Sequence, residues 1–123
     1  MKKIILIDDQ PIANFIARKL LQLEGYEDGV IDFTNPEEAL ELVLEEKEAI
    51  IFLDLNMPEM TGWEFLEKIQ HQDHGHKVFI LTSSTSEVDR EKAQGFPDVL
   101  GYVVKPLDRQ KIASISILLN NIK

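Results

Sequence analysis

Three aspartates, a pair of hydroxyls and a lysine stand at the ends of apolar runs in this chain. Asp8 and Asp9 follow Lys3-Ile4-Ile5-Leu6-Ile7, and Asp54 follows Ala49-Ile50-Ile51-Phe52-Leu53. Thr82 and Ser83 follow Val78-Phe79-Ile80-Leu81, and Lys105 follows Leu100 to Val104. If these runs are parallel strands of one sheet, their C-terminal ends share one edge, where open α/β sheets bind ligands. Three carboxylates and one ammonium would leave that edge with a charge of about −2, and clustered carboxylates repel unless something neutralises them. An oxygen-ligated divalent cation is the natural candidate, and Mg2+ takes one or two carboxylates while keeping several waters. A lysine is a compact cation suited to a phosphate oxygen, and a threonine hydroxyl can donate to another. Those parts together stabilise an in-line phosphoryl transfer, and the carboxylate can itself be the nucleophile, forming an acyl phosphate. Taken singly, each residue has a plainer role: helix cap, turn former, loop hydroxyl, surface cation. Their convergence on one edge is what argues for chemistry.

Positioning them requires a regular alternation, and the chain has one. The first run is a continuous β-branched stretch, as a strand buried on both faces should be. Pro11 suits a first helical position, Ile12, Phe15, Ile16, Leu20 and Leu23 recur as a stripe at helical spacing, and Gly25 is a stop. Val30-Ile31-Asp32-Phe33 is a short second strand. Asn35-Pro36 reads as an N-cap with proline after it, and Ala39, Leu40, Val43 and Leu44 predict a buried stripe on the second helix. The third strand ends at Asp54, and a third helix opens near Gly62 with Trp63, Phe65, Leu66 and Ile69. After the fourth strand, Ser84 with Glu87 fits a capping box for a mostly polar helix that Gly95-Phe96-Pro97 ends. The last helix carries Ile112, Ile115, Leu118, Leu119 and Ile122. Five β-α units in succession predict an α/β fold with a parallel sheet and helices on both faces.

Bulk properties narrow the function classes. A length of 123 residues fits one domain, with no linker, repeat or low-complexity segment. Cysteine is absent, which excludes disulfides, thiolate catalysis and Cys-ligated zinc. A net charge of −9 argues against direct binding to nucleic acid or to an anionic membrane surface. The acidic run from Glu37 to Glu48 reads as a solvated helix face. No apolar stretch approaches the roughly 20 residues that span a bilayer. Four apolar residues between Lys3 and Asp8 are too few for a signal-peptide core, so a cytoplasmic location is expected. His71, His74 and His76 precede the fourth strand, at the edge opposite the acids, and are expected in a solvated loop.

Four segments make the chain resemble the receiver domain of two-component response regulators. They are Ile7-Asp8-Asp9, "DLNMPEMTG" from Asp54 to Gly62, "LTS" from Leu81 to Ser83 and "GYVVKP" from Gly101 to Pro106. The resemblance covers essentially all of the chain. It implies a flavodoxin-like, doubly wound (βα)5 sandwich of three layers, with a five-stranded parallel sheet in the order 2-1-3-4-5. Residues 1–123 would then form one receiver domain without an output domain. Asp54 would be the phosphoacceptor, Asp9 a direct Mg2+ ligand, Asp8 a water-mediated one, and Asn56 a ligand through its backbone carbonyl. Lys105 would pair with the phosphoryl group, and Thr82 would bind one of its oxygens and move towards it. Tyr102 stands at the switch aromatic, which turns inward when Thr82 moves. Lys105-Pro106 would be a cis peptide. Asn56 and Ser84 stand where such domains tune dephosphorylation.

The implied function is a stand-alone signalling receiver rather than a turnover enzyme, with self-catalysed phosphoryl transfer and slow autodephosphorylation. Its donor would be a sensor histidine kinase or a histidine phosphotransfer protein. A downstream protein target would read the face made by the fourth helix, fifth strand and fifth helix. One rival is a phosphorylation-independent docking module. Another is an aspartyl-phosphate phosphohydrolase of the haloacid-dehalogenase type, whose Asp-x-Asp-x-Thr motif is not matched by Asp54-Leu55-Asn56-Met57. A flavodoxin-like FMN binder is disfavoured because, without a metal, Asp8-Asp9 would repel a phosphate.

Overall fold

The structure, a computed structural model, describes residues 2–122, with side chains described for 2–120. Five strands alternate with five helices. The strands are β1 (Lys3–Ile7), β2 (Val30–Phe33), β3 (Ala49–Leu53), β4 (Lys77–Thr82) and β5 (Val99–Val104). The helices are α1 (Pro11–Leu23), α2 (Pro36–Glu45), α3 (Gly62–Gln70), α4 (Glu87–Gln94) and α5 (Arg109–Ile122). All strand pairs are parallel, in the order β2-β1-β3-β4-β5. The expected strand ends hold to within one residue.

Parallel strands between two helix layers must be apolar on both faces. β3 meets this fully, with all five residues buried. Alternate residues feed two cores. Ile5, Ile7, Ile51 and Leu53 pack with Ala39 and Val43 of α2, Phe65, Leu66 and Ile69 of α3, and Ala93 of α4. Ile4, Leu6, Ile50 and Phe52 pack with Ala17 and Leu21 of α1 and with Ile112, Ile115 and Leu119 of α5. Phe52 and Phe79 stack within that second core, with centroids 5.4 Å apart.

Several helical expectations needed correction. Most of the apolar stripe of α1 faces outward: Ile12 is 61% exposed, Phe15 54%, and Ile16 and Leu23 are also exposed, while Leu20 is half-buried against the core. The buried face is Asn14, Ala17 and Leu21, with Asn14 docked on the carbonyls of Asp8, just after β1, and of Phe33, at the end of β2. On α2, Ala39 and Val43 are buried and Leu44 is exposed; on α5, Leu118 is exposed. The side chain of Ile122 lies outside the described residues. The α4 cap is Ser86 rather than Ser84, its hydroxyl accepting from the Asp89 N–H. Ser84 is engaged elsewhere, so the helix begins two residues later than the capping box predicts.

The histidines are at the expected edge, but only His71 is exposed. His76 is 2% exposed and joins the Ala49 N–H, at 3.0 Å from Nδ1, to the Val43 carbonyl, at 3.1 Å from Nε2. The His74 side chain is almost fully covered and stacks on His76. The His74–His76 end of the loop is covered because its imidazoles supply main-chain partners that water would otherwise supply.

Candidate functional site

The sheet ladder extends into the site and fixes its main chain. The Asp8 N–H donates to the Phe33 carbonyl, the Asp54 N–H to Ile7, and the Lys105 N–H to Thr82, at 3.1, 3.0 and 2.7 Å. Residues widely separated in sequence therefore meet at the C-terminal rim. Carboxylate oxygens of Asp8, Asp9 and Asp54 lie within 4.8 Å of one another. The Lys105 Nζ donates to Asp8 Oδ2 at 2.5 Å and stands 3.7 Å from Asp54 Oδ1. A cavity of about 640 Å³ opens over them, lined also by Asn56, Ser83 and the α1 residues Ile12 and Ile16.

Neither acid position is explained by helix capping. Gln10 caps α1 without a side-chain bond. Asp8 Oδ1 accepts only the Gln10 N–H of the connecting turn, at 2.9 Å. At α3 the cap is Thr61, which forms a reciprocal capping box with Glu64, leaving Asp54 out of it. Gly62 is required by close approach. A Cβ there would stand 2.7 Å from the Asp54 carbonyl and 2.9 Å from Leu55 Cα, and its N–H donates to the Leu55 carbonyl.

Electrostatics at the rim are strained in one direction. The Asp54 carboxyl is pushed up from 3.8 to about 6, chiefly by burial and then by the neighbouring Asp8 charge. The Lys105 ammonium and a bond from the Asn56 N–H oppose that shift without cancelling it. Lys105 pairs with two of the three acids, Asp8 and Asp54, so an added cation has an electrostatic reason to bind here.

Thr82 is fully buried, and its Oγ1 accepts the Ser84 N–H at 3.1 Å. The Ser84 carbonyl accepts the Tyr102 hydroxyl at 3.1 Å, and its own Oγ donates to Asp89 Oδ2 at 2.6 Å. Tyr102 is half-buried, with the Arg90 guanidinium over its ring at 4.8 Å. A continuous run of hydrogen bonds thus joins Thr82 to Tyr102 and to the start of α4. The Lys105–Pro106 peptide is cis.

Two features escape the sequence reading. Asn14 donates through Nδ2 to the Asp8 carbonyl at 3.1 Å and to the Phe33 carbonyl at 3.0 Å, securing the main chain beneath the acid pair. A polar residue between apolar helix positions, six after Asp8, was the available signal. The exposed Ile12 and Ile16 line the cavity, and the signal was a second possible inner face at Asn14, Ala17 and Leu21.

A doubly wound parallel sheet that gathers acids and a lysine at its carboxyl edge defines an α/β protein with its ligand site at that rim. Comparison with known proteins narrows this. Residues 4–116 match the response regulator receiver domain. The transcriptional regulatory protein CpxR of Escherichia coli is 34% identical over 127 residues, covering 97% of this chain and 50% of that protein. Sporulation initiation phosphotransferase F of Bacillus subtilis is 28% identical over 111 residues, covering 90% of this chain and 87% of that protein. The response regulator TrrA of Thermotoga maritima, solved in complex with Mg2+ and BeF, superposes with a TM-score of 0.80 at 27% identity, covering 97% of this chain and 99% of that one. The chain belongs to the response regulator receiver domain family. It spans about half the length of relatives such as CpxR. Receiver domains use Mg2+ at an aspartate cluster and interact with histidine kinases or phosphotransfer proteins. Among the described residues no helix is long and apolar enough to cross a membrane.

Proposed function

We propose that Asp54 accepts a phosphoryl group, with Mg2+ bound, from the phosphohistidine of a sensor histidine kinase or histidine phosphotransfer protein. The domain then binds a downstream protein differently through its α4–β5–α5 face. The observation that carries this reading is Lys105 set between Asp8 and Asp54 at a cavity lined by all three acids. The donors fit Mg2+, being all oxygen and net anionic: the Asp8, Asp9 and Asp54 carboxylates and the Asn56 backbone carbonyl. When bound, Mg2+ offsets negative charge on the transferring group.

The rest falls to the chain's own residues. With its pKa at about 6, Asp54 is mostly ionised at neutral pH and offers a lone pair. An Asp54 oxygen attacks phosphorus, the P–N bond breaks, and the imidazole nitrogen keeps the electron pair and takes a proton from solvent. Lys105 exchanges its carboxylate partners for a phosphoryl oxygen. The Thr82 oxygen accepts the Ser84 N–H, so its own hydrogen is available for another phosphoryl oxygen. Drawing Thr82 inward pulls on Ser84, whose carbonyl holds the Tyr102 hydroxyl, and the strain reaches α4 and β5. The exposed Ile12, Phe15 and Ile16 give the donor protein an apolar seat beside the cavity.

Incubation with Mg2+ and acetyl phosphate, read by intact mass, tests the reading. One added phosphate on the wild type and none on Asp54→Ala is expected. An unmodified wild type points instead to a docking module.

A further inference from the structure

Lys111 occupies a place where a cation is unfavourable. It is the third residue of α5, in the first turn, where the helix dipole presents its positive end. Its N–H donates to Asp108 Oδ1 at 2.8 Å, as in a capped helix start. Its side chain turns back along the connection from β5. The ammonium donates to the Val104 carbonyl at 2.7 Å and to the Pro106 carbonyl at 2.9 Å. These are the residues immediately before and after Lys105. Charge-assisted bonds of this length are among the stronger side-chain ties, which accounts for a lysine at so poor a helical position.

Lys105 needs such support. Its ammonium sits at the end of a four-carbon stem and reaches Asp8 and Asp54 only if its own Cα is held in place. On the sheet side, its N–H is tied to the Thr82 carbonyl at 2.7 Å. On the other side stands Pro106, which has no N–H to give. Lys111 ties both flanking peptides at once and touches none of the three acids.

We propose that Lys111 is a positioning residue for Lys105: by bridging the Val104 and Pro106 carbonyls it fixes the main chain from which Lys105 reaches the phosphoryl group. This rests on the phosphoacceptor reading above, with Lys105 as the phosphoryl partner.

The probe is beryllium fluoride with Mg2+, titrated into the full chain by calorimetry beside Mg2+ alone. In Lys111→Met the affinity for beryllium fluoride falls about tenfold, since small misplacements of an aligned group are costly. Mg2+ alone binds within about twofold of wild type, because the acids are untouched. Lys111→Arg, which also has several N–H donors for two carbonyls, restores the affinity. Lys68→Met removes the same charge from an exposed site on α3 and changes neither titration. If Lys111→Met does not fold, Lys111→Gln, a shorter donor, takes its place and shows an intermediate loss.

Wild-type affinity for beryllium fluoride in the neutral variant overturns the proposal. So does a loss that Lys111→Arg leaves unrepaired, or an equal loss for Mg2+ alone, which would mark general loosening. In each of those cases a phosphorylated Asp54 still stands. A wild type that takes neither beryllium fluoride nor phosphate overturns both readings together.

Discussion

The two rims of the sheet bury polar groups in opposite ways. At the N-terminal rim, His76 Nδ1 accepts the Ala49 N–H and must therefore be unprotonated, so Nε2 carries the hydrogen given to Val43. Burial, and then the neighbouring His74, push its pKa down, and the ring stays neutral. Both ring nitrogens there have a main-chain partner. At the C-terminal rim three carboxylates crowd together, Lys105 pairs with two of them, Asp8 and Asp54, and Asp54 is pushed up to about 6. The contrast separates burial whose hydrogen bonds are closed from burial that leaves negative charge only partly compensated. A closed network holds the ring in one protonation state, whereas an open one leaves lone pairs and charge available to a ligand.

The sharpest way to break this contrast is to remove the closed network. His76→Ala leaves the Ala49 N–H and the Val43 carbonyl without the ring and opens a void. It should cost about 3 kcal/mol in denaturant unfolding while the folded fraction still takes phosphate from acetyl phosphate. A cost below about 1 kcal/mol would mean that water can replace the ring.

The open rim should behave in the reverse sense. The folded-state pKa of Asp54 lies above its ordinary 3.8, so its contribution to stability is fully present below 3.8 and is lost as pH rises through about 6. A neutral side chain avoids that loss. Asp54→Asn should gain about 3 kcal/mol at pH 7.5, given that each tenfold change in proton affinity is worth roughly 1.4 kcal/mol, while abolishing phosphorylation. An unchanged or lowered stability would show that the acids are not in conflict.

The N-terminal rim has the opposite pH sign. With His76 depressed below 6.5, its stability is present above 6.5 and is lost as pH falls. Measured in the Asp54→Asn background, which removes the opposing titration, stability should fall below pH 6.5 with a slope of up to about 1.4 kcal/mol per pH unit. The slope should disappear when His76 is also replaced.

The smallest effect on stability is expected on the outer face of α1. Phe15→Ala with Ile16→Ala should change unfolding by no more than about 0.5 kcal/mol, as exposed substitutions do. The same pair should slow phosphorylation by a histidine phosphotransfer protein and leave acetyl phosphate labelling unchanged. If both donors slow equally, α1 is not a docking face.

Much of this arrangement was legible in the sequence, for local reasons. A strand buried on both faces writes itself as an unbroken apolar run, so the places where Asp8, Asp54 and Lys105 emerge could be read directly. Asn35-Pro36 and the turn before Gly62 carry their own stereochemistry. The remainder depends on what lies across the fold. α1 has two plausible inner faces, and the choice is made by the β1 and β2 ends against which Asn14 docks. His76, in the polar stretch "HQDHGHK", reads as a loop residue until Ala49 and Val43, remote in sequence, are brought to it. Ser84 and Ser86 are equally good caps by composition, and only Thr82, Tyr102 and Asp89 around Ser84 decide between them.

The self-contained start of α3 has a further consequence. Because Thr61 and Glu64 close that terminus between themselves, the oxygens of Asp54 have no part in keeping the following helix wound. If Asp54 is the proposed phosphoacceptor, forming and hydrolysing its acyl phosphate would leave the winding of that helix undisturbed, as a signal used repeatedly requires.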